Sequence, residues 1–146
     1  MIRKILVAID GSDCADRALD LALDLANQYS ADIQLLSVVT SCFLPSQSMY
    51  LIHSEAVDDC NRQLETAFRG ILSEADGKVK KERPHLKVST RLETGDPTEK
   101  IVEIAKREKI DIIIMGRRGS GRREYTLGSV SSNVVDNAPC PVLIVK

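Results

Sequence analysis

The sequence predicts an α/β fold, a single doubly wound five-stranded parallel sheet with helices on both faces. Two observations predict it. Short apolar runs alternate with longer stretches at helical spacing, strand then helix, along the whole chain. Every strand except the third is a near-continuous apolar run, as a strand covered on both faces must be. At 146 residues the chain fits one domain, residues 1–146, burying roughly two thirds of its unfolded surface.

The first strand, residues 4–9, is apolar and ends at Asp10-Gly11-Ser12, where Ser12 can cap a helix running to about residue 30. That helix carries Ala15, Ala18, Leu19, Ala22, Leu25, Ala26 and Tyr29 at spacings of three and four, an inward stripe. Residues 32–39 form the second strand. The polar stretch 40–53, with Pro45 and several serines, is long for a connection and is expected to act as a lid. The longest helix spans residues 54–82 with an apolar face of Val57, Cys60, Leu64, Ala67, Phe68, Ile71 and Ala75, and Gly70 and Gly77 weaken its later turns. Residues 87–93 alternate, with Val88, Thr90 and Leu92 on one face, which marks an edge strand. Thr94-Gly95-Asp96-Pro97 supplies a turn, an Asp cap and a Pro at the first helical position. The helix that follows buries Ile101, Val102, Ile104 and Ala105 and reaches Lys109. Residues 111–115 are the fourth strand. The last helix starts at Ser129, turns Val130, Val134, Val135 and Ala138 inward and stops before Pro139, and residues 142–145 form the fifth strand.

Strand four opens into Gly116-Arg117-Arg118-Gly119 and, after eight residues, Gly128-Ser129 starts a helix. Two glycines let backbone N–H groups approach an anion without Cβ obstruction. The helix start adds unpaired N–H groups and the positive end of its dipole. In the strand order 3-2-1-4-5, Asp10 and the Gly116 loop both open where the winding reverses, at the topological switch point. In the order 2-1-3-4-5 the switch lies away from the glycine loop, so the motif favours the first order. A plain strand-to-helix turn accounts for the same glycines without a ligand, and Asp10-Gly11-Ser12 is also ordinary turn chemistry.

Composition narrows the function classes. Net charge is −1, from 20 basic and 21 acidic residues, and Trp is absent, so no nucleic-acid stripe is expected. No apolar run approaches the roughly 18 residues of a membrane span. Cys14, Cys42, Cys60 and Cys140 are scattered without a C-x-x-C pair, and Met1 reads straight into a strand with no secretory segment. Four free thiols in a reducing cytoplasm are the expectation. His53 and His85 lack paired carboxylates at metal or catalytic spacing, and Ser12, Ser129, Ser131 and Ser132 have no His base beside them. There is no G-x-x-x-x-G-K-[ST], no G-x-G-x-x-G after the first strand and no cluster of acids typical of a phosphoacceptor. Arg117, Arg118, Arg122 and Arg123 crowd the glycine loop, and one or two of them are expected to reach a phosphate.

Residues 5–12 (ILVAIDGS), Leu35-Leu36-Ser37-Val38-Val39, Gly95-Asp96-Pro97, residues 112–119 (IIIMGRRG), Gly128-Ser129-Val130 and residues 139–145 (PCPVLIV) resemble the universal stress protein family over essentially the whole chain. The resemblance implies the 3-2-1-4-5 sheet of the adenine-nucleotide alpha-hydrolase-like fold and a homodimer. It also implies an ATP site marked by G-x-x-G, nine residues, then G-S or G-T. Here the spacer, Ser120 to Leu127, has eight residues. By the same resemblance Asp10 contacts the ribose, and Val38 offers backbone groups to the adenine. Gly116, Gly119 and Ser120 line the phosphates, with Gly128, Ser129, Val130 and Ser131 holding them at the helix start. Ala8, Ile9, Met115 and Arg118 complete the expected contacts.

The expected function is therefore that of a cytoplasmic ATP-binding stress-response module, with or without Mg2+, that acts on a protein client and not on nucleic acid or a membrane. No general base is evident, so hydrolysis or self-phosphorylation is expected to be slow at most. The dimer is expected through residues 142–145, an apolar edge that soluble proteins usually protect. Two alternatives stay open: an interaction protein of this fold without nucleotide, and a nucleotidyl-transfer enzyme, for which the usual H-x-G-H or S-G-G-x-D-S signatures are absent.

Overall fold

Ile5, Leu6 and Val7 are fully buried although successive side chains on a strand point to opposite faces, so the first strand must be covered on both sides. The computed structural model, which describes residues 1–42, 55–117 and 127–146, shows how. The elements run β1 (Lys4–Ala8), α1 (Asp13–Tyr29), β2 (Asp32–Val39), α2 (Glu55–Glu82), β3 (Val88–Thr94), α3 (Pro97–Arg107), β4 (Ile112–Gly116), α4 (Ser129–Asn137) and β5 (Val142–Val145). The strands form one parallel sheet in the order β3-β2-β1-β4-β5. Ile5 pairs with Ile33 on one side and Ile112 on the other, which puts β1 at the centre. Ile5, Val7, Ile33, Leu35 and Ile114 pack with Leu19 and Leu23 of α1 and Leu72 and Val79 of α2. Leu6, Leu36, Ile113 and Met115 pack on the other face with Ile101 and Ile104 of α3 and Val134 of α4.

The helix starts are written locally. Ser12 accepts from the backbone N–H of Ala15, and Asp96 accepts from that of Glu99 with Pro97 at the first turn. Gly70 and Gly77 do not interrupt α2, since propensity costs of about 1 kcal/mol each are overridden by its packing.

Four expectations are corrected. Tyr29 is 43% exposed, because it is the last residue of α1 before Ser30 adopts a left-handed conformation and reverses the chain; the inward stripe instead takes in Leu23. Val135 is 45% exposed, since α4 meets the sheet along the narrow stripe of Ser131 and Val134, and Ala67 is exposed on α2. The four cysteines are not all free. Cys42, three residues beyond β2, is disulfide-bonded to Cys60 on α2, and Cys14 and Cys140 are the free thiols. The pairing is tertiary: α2 packs back against β2 and β3 and brings the two Cα atoms to 6.2 Å, within disulfide range. A spacing of 18 residues carries no local signal for that. The expected lid falls largely on residues 43–54, which lie outside the described residues, as does His53.

The amino ends of the strands are tied together. The Asp111 carboxylate accepts from the backbone N–H groups of Arg3 (2.8 Å) and Lys4 (2.9 Å), and these bonds hold its carboxyl below the usual carboxylate range. Among the described residues no helix is long and apolar enough to cross a membrane.

Candidate functional site

At the carboxyl ends β1 and β4 part, because the chain leaves β1 towards α1 on one face and leaves β4 towards α4 on the other. The opening is a cavity of about 490 Å³, within the range of small-molecule sites. Ala8, Ile9, Asp10, Val38, Met115, Gly116, Gly128, Ser129, Val130 and Ser131 all line it. Arg118, Gly119 and Ser120 of the expected set, with Arg122 and Arg123, lie outside the described residues.

Asp10 is held by its own turn. Its Oδ1 accepts from the backbone N–H (2.9 Å) and the hydroxyl (2.5 Å) of Ser12, made possible by Gly11 at φ +81° between them. Oδ2 has no partner among the described residues and remains an acceptor at the cavity wall. Asp10 is also the one titratable side chain among the described lining residues.

Across the winding point, α4 begins at Gly128. The Gly128 N–H donates to the Arg117 carbonyl (2.9 Å), which closes the loop's two ends, so this amide is not a free donor as the sequence suggested. The first bond within the helix is Ser132 N–H to Gly128 O. The N–H groups of Ser129, Val130 and Ser131 precede it and have no helix acceptor. The Ser129 side chain is exposed, whereas the Ser131 hydroxyl is buried and donates to the Gly116 carbonyl (2.9 Å), tying α4 to β4. Ser37 makes the matching bond on the other side, to the Ile9 carbonyl at 2.6 Å. Both buried hydroxyls are thus satisfied and hold the strand ends in place.

Gly116 has a second reason to be glycine. A Cβ there would lie 2.6 Å from the Cys14 Cβ and 2.9 Å from the Cys14 backbone carbon, so its small size lets β4 approach the first turn of α1. Arg117, which follows, keeps a buried Nε with no hydrogen-bond partner among the described residues.

Sequence reasoning missed the remaining walls: Leu36, Phe68, Pro97, Ile101, Ser12, Ala15 and Leu127. Pro97 and Ser12 stand in motifs that were legible as helix starts. Phe68 reaches the cavity from α2 through the packing of a long helix, which no local pattern reports.

The universal stress protein family model matches residues 1–146. The universal stress protein YxiE of Bacillus subtilis is 34% identical over 150 residues, covering all of both chains. The structure of the universal stress protein UspA from Lactobacillus plantarum superposes with a TM-score of 0.75 at 27% identity, over 99% of this chain and 97% of that one. A universal stress protein solved in complex with cAMP gives 0.70 at 28% identity, again over 99% and 97%. With the 3-2-1-4-5 sheet, the Asp10 turn and the Gly128-Ser129 helix start in place, these full-length matches establish that the chain belongs to the universal stress protein family.

Proposed function

We propose that the cavity binds an adenine nucleotide, with ATP as the ligand, and that the chain is a regulatory stress-response module acting on a protein client. One observation carries the reading: a single cavity is lined by Asp10, whose Oδ2 has no partner among the described residues, by apolar side chains, and by a helix start with three N–H groups that have no helix acceptor. These match the parts of a nucleotide. Val38, Phe68, Pro97, Ile101 and Met115 suit the adenine, Asp10 Oδ2 accepts from ribose hydroxyls, and Ser129, Val130 and Ser131 donate to phosphate. Arg118, Gly119 and Ser120 extend the phosphate side in this reading, and Mg2+ would enter on the phosphates, keeping most of its waters. The cAMP complex of a family member supports the ligand class.

Turnover is expected to be slow. Asp10, the one titratable group on the described walls, is exposed, is already engaged with Ser12 and is assigned to the ribose, which leaves no general base for water among the described residues. Mass spectrometry of nucleotide released by denaturing the purified protein tests the reading. Adenine nucleotide in near-stoichiometric amount, or micromolar binding on adding ATP, is expected; neither would leave the interaction-protein alternative.

The homodimer and the cytoplasmic setting belong to the same proposal. β5 is an edge strand whose side chains are all partly exposed, and Val135 lies exposed on neighbouring α4, an apolar strip that pairing with a second copy would cover. Ile144→Lys is expected to weaken the dimer in light scattering, and a wild type that scatters only as a 16.1 kDa species at tens of micromolar would refute it.

A further inference from the structure

The two halves of α2 are held by different means. In the second half Leu72, Ala75 and Val79 are buried, and Lys78 and, just past the helix end, Arg83 reach across to Asp20 (2.5 Å) and Asp24 (3.2 Å) of α1 respectively. In the first half no residue from 55 to 71 is buried. Its ion pairs, Arg62 with Asp59 and Arg69 with Glu65, stay within the helix and stiffen it without docking it. At its end Ile71 packs against the core, and nearer its start Cys42, just beyond β2, ties it down: the Cys42 sulfur is bonded to Cys60, and its backbone N–H donates to Asn61 Oδ1 (2.7 Å). Cys60, Leu64, Phe68 and Ile71 share one stripe at helical spacing, and the stripe ends at the cavity, where Phe68 forms wall and Ile71 packs on Gly11 beside Asp10.

We propose that Cys42–Cys60 is a redox-controlled latch on ligand affinity: the oxidised pair holds the first half of α2 against the sheet and keeps Phe68 in the cavity wall, and reduction releases it. The inference rests on the nucleotide reading above for its ligand and on the helix contacts for its mechanism. The reductant is a low-molecular-weight thiol such as glutathione. One glutathione thiolate attacks a sulfur of the pair, the S–S bond breaks, and the other cysteine leaves as a thiolate and takes a proton. A second glutathione thiolate attacks the mixed disulfide, releasing glutathione disulfide and the second cysteine thiol, so two electrons pass from glutathione to the protein. The bond reforms by the reverse exchange. In a reducing compartment such a bond is transient and sensing, whereas in an oxidising one it persists. Ordering the wall before the ligand arrives lowers the cost of binding, so the oxidised form is the tighter binder.

Coupling between sites is reciprocal. If oxidation tightens ATP binding about fivefold, saturating ATP makes the disulfide about fivefold harder to reduce, a shift of about 20 mV towards negative potential. The experiment titrates ATP by calorimetry into the full chain, oxidised with glutathione disulfide and then reduced, and into the Cys42→Ser/Cys60→Ser double variant. In parallel the glutathione midpoint of the pair is measured with and without ATP, and amide exchange of residues 55–71 is followed in both redox states. Expected are at least about fivefold tighter ATP binding by the oxidised protein, a double variant that matches the reduced protein and ignores reductant, and faster exchange of residues 55–71 on reduction. Equal ATP affinity in both states with an unmoved midpoint overturns the latch and leaves the nucleotide reading standing. No ATP binding in either state overturns the nucleotide reading and the coupling together, and peptide mapping of the oxidised protein without a Cys42–Cys60 bond overturns the latch outright.

Discussion

At the amino ends of its strands the sheet is closed by its own hydrogen bonds, while at the carboxyl ends the same strands part around a cavity with donors and acceptors that have no partner among the described residues. The amino end has a hollow too, about 240 Å³, lined by Lys4, Asp32, Lys87, Arg91 and Glu108 among others. Its charges are spent on one another: Lys87 pairs with Asp32 at 3.4 Å, Arg91 with Glu108 at 3.4 Å, and the Lys4 ammonium donates to the Glu108 carbonyl at 3.1 Å. Its backbone is spent as well, with Asp32 N–H on Arg3 O, Asp111 N–H on Lys4 O and Ile33 N–H on Lys87 O. Among the described residues the carboxyl end keeps Asp10 Oδ2 and the amides of Ser129, Val130 and Ser131 uncommitted. The difference follows from winding: only where neighbouring strands send their chains to opposite faces does the fold leave a gap, and only there do helix starts point into it.

The largest effect should come from filling the close approach at the open end. Gly116→Val places carbon against the backbone of Cys14 and Ala15, which cannot give way as a flexible side chain would, and is expected to cost about 3 kcal/mol of stability and most ATP affinity. Thermal denaturation with calorimetry checks it, and a wild-type melting temperature would show that α1 and β4 are less tightly apposed. Asp10→Ala should weaken ATP and adenosine alike, by roughly 1.5–3 kcal/mol or about tenfold and more, because the lost contact is to their shared ribose. Since Oδ1 also supports Ser12, Asp10→Asn, which keeps an acceptor for the turn, separates loss of charge from loss of fold.

Ser129→Ala should cost about tenfold in ATP affinity and leave adenosine unchanged, with helix-dipole attraction of about 0.3–1 kcal/mol still acting on phosphate. Equal losses for both ligands would return the helix start to a structural role. The smallest effect belongs to the closed end. Asp111→Asn should leave ATP affinity untouched and lower stability by less than about 1 kcal/mol, because the residue is partly exposed and the carboxylate solvent-screened. Its folded pKa is lowered, so its contribution is present above the unfolded value near 3.9 and lost as pH falls through the folded value below that. The gap in melting temperature between wild type and Asp111→Asn should be widest above about pH 5 and close in stronger acid.

What was legible in the sequence was what is written locally. Ser12 and Asp96-Pro97 announce helix starts, β2 and β5 appear at their expected bounds, and the position of the glycine loop after β4 chose the strand order. The cavity residues contributed by strand ends and the α4 start were readable for the same reason. Phe68, Ile101 and the Cys42–Cys60 pair were not, because each depends on how a distant helix lies across the sheet. Gly116 and Ser131 were picked out for anion binding, yet the structure also gives each a packing duty, against Cys14 and against the Gly116 carbonyl. A residue's type shows what it can do, and only its neighbours show which of its bonds are already made.

The central claim, that one end of the sheet is a nucleotide site and the other is not, is tested most directly by titrating ATP into isotope-labelled protein and following the backbone amides by NMR. Large shifts are expected at Asp10, Val38, Gly116, Ser129, Val130 and Ser131, with Arg3, Lys4, Asp32, Lys87 and Asp111 unmoved. Absence of shifts at millimolar ATP, or shifts centred on the Asp111 end, would contradict the account.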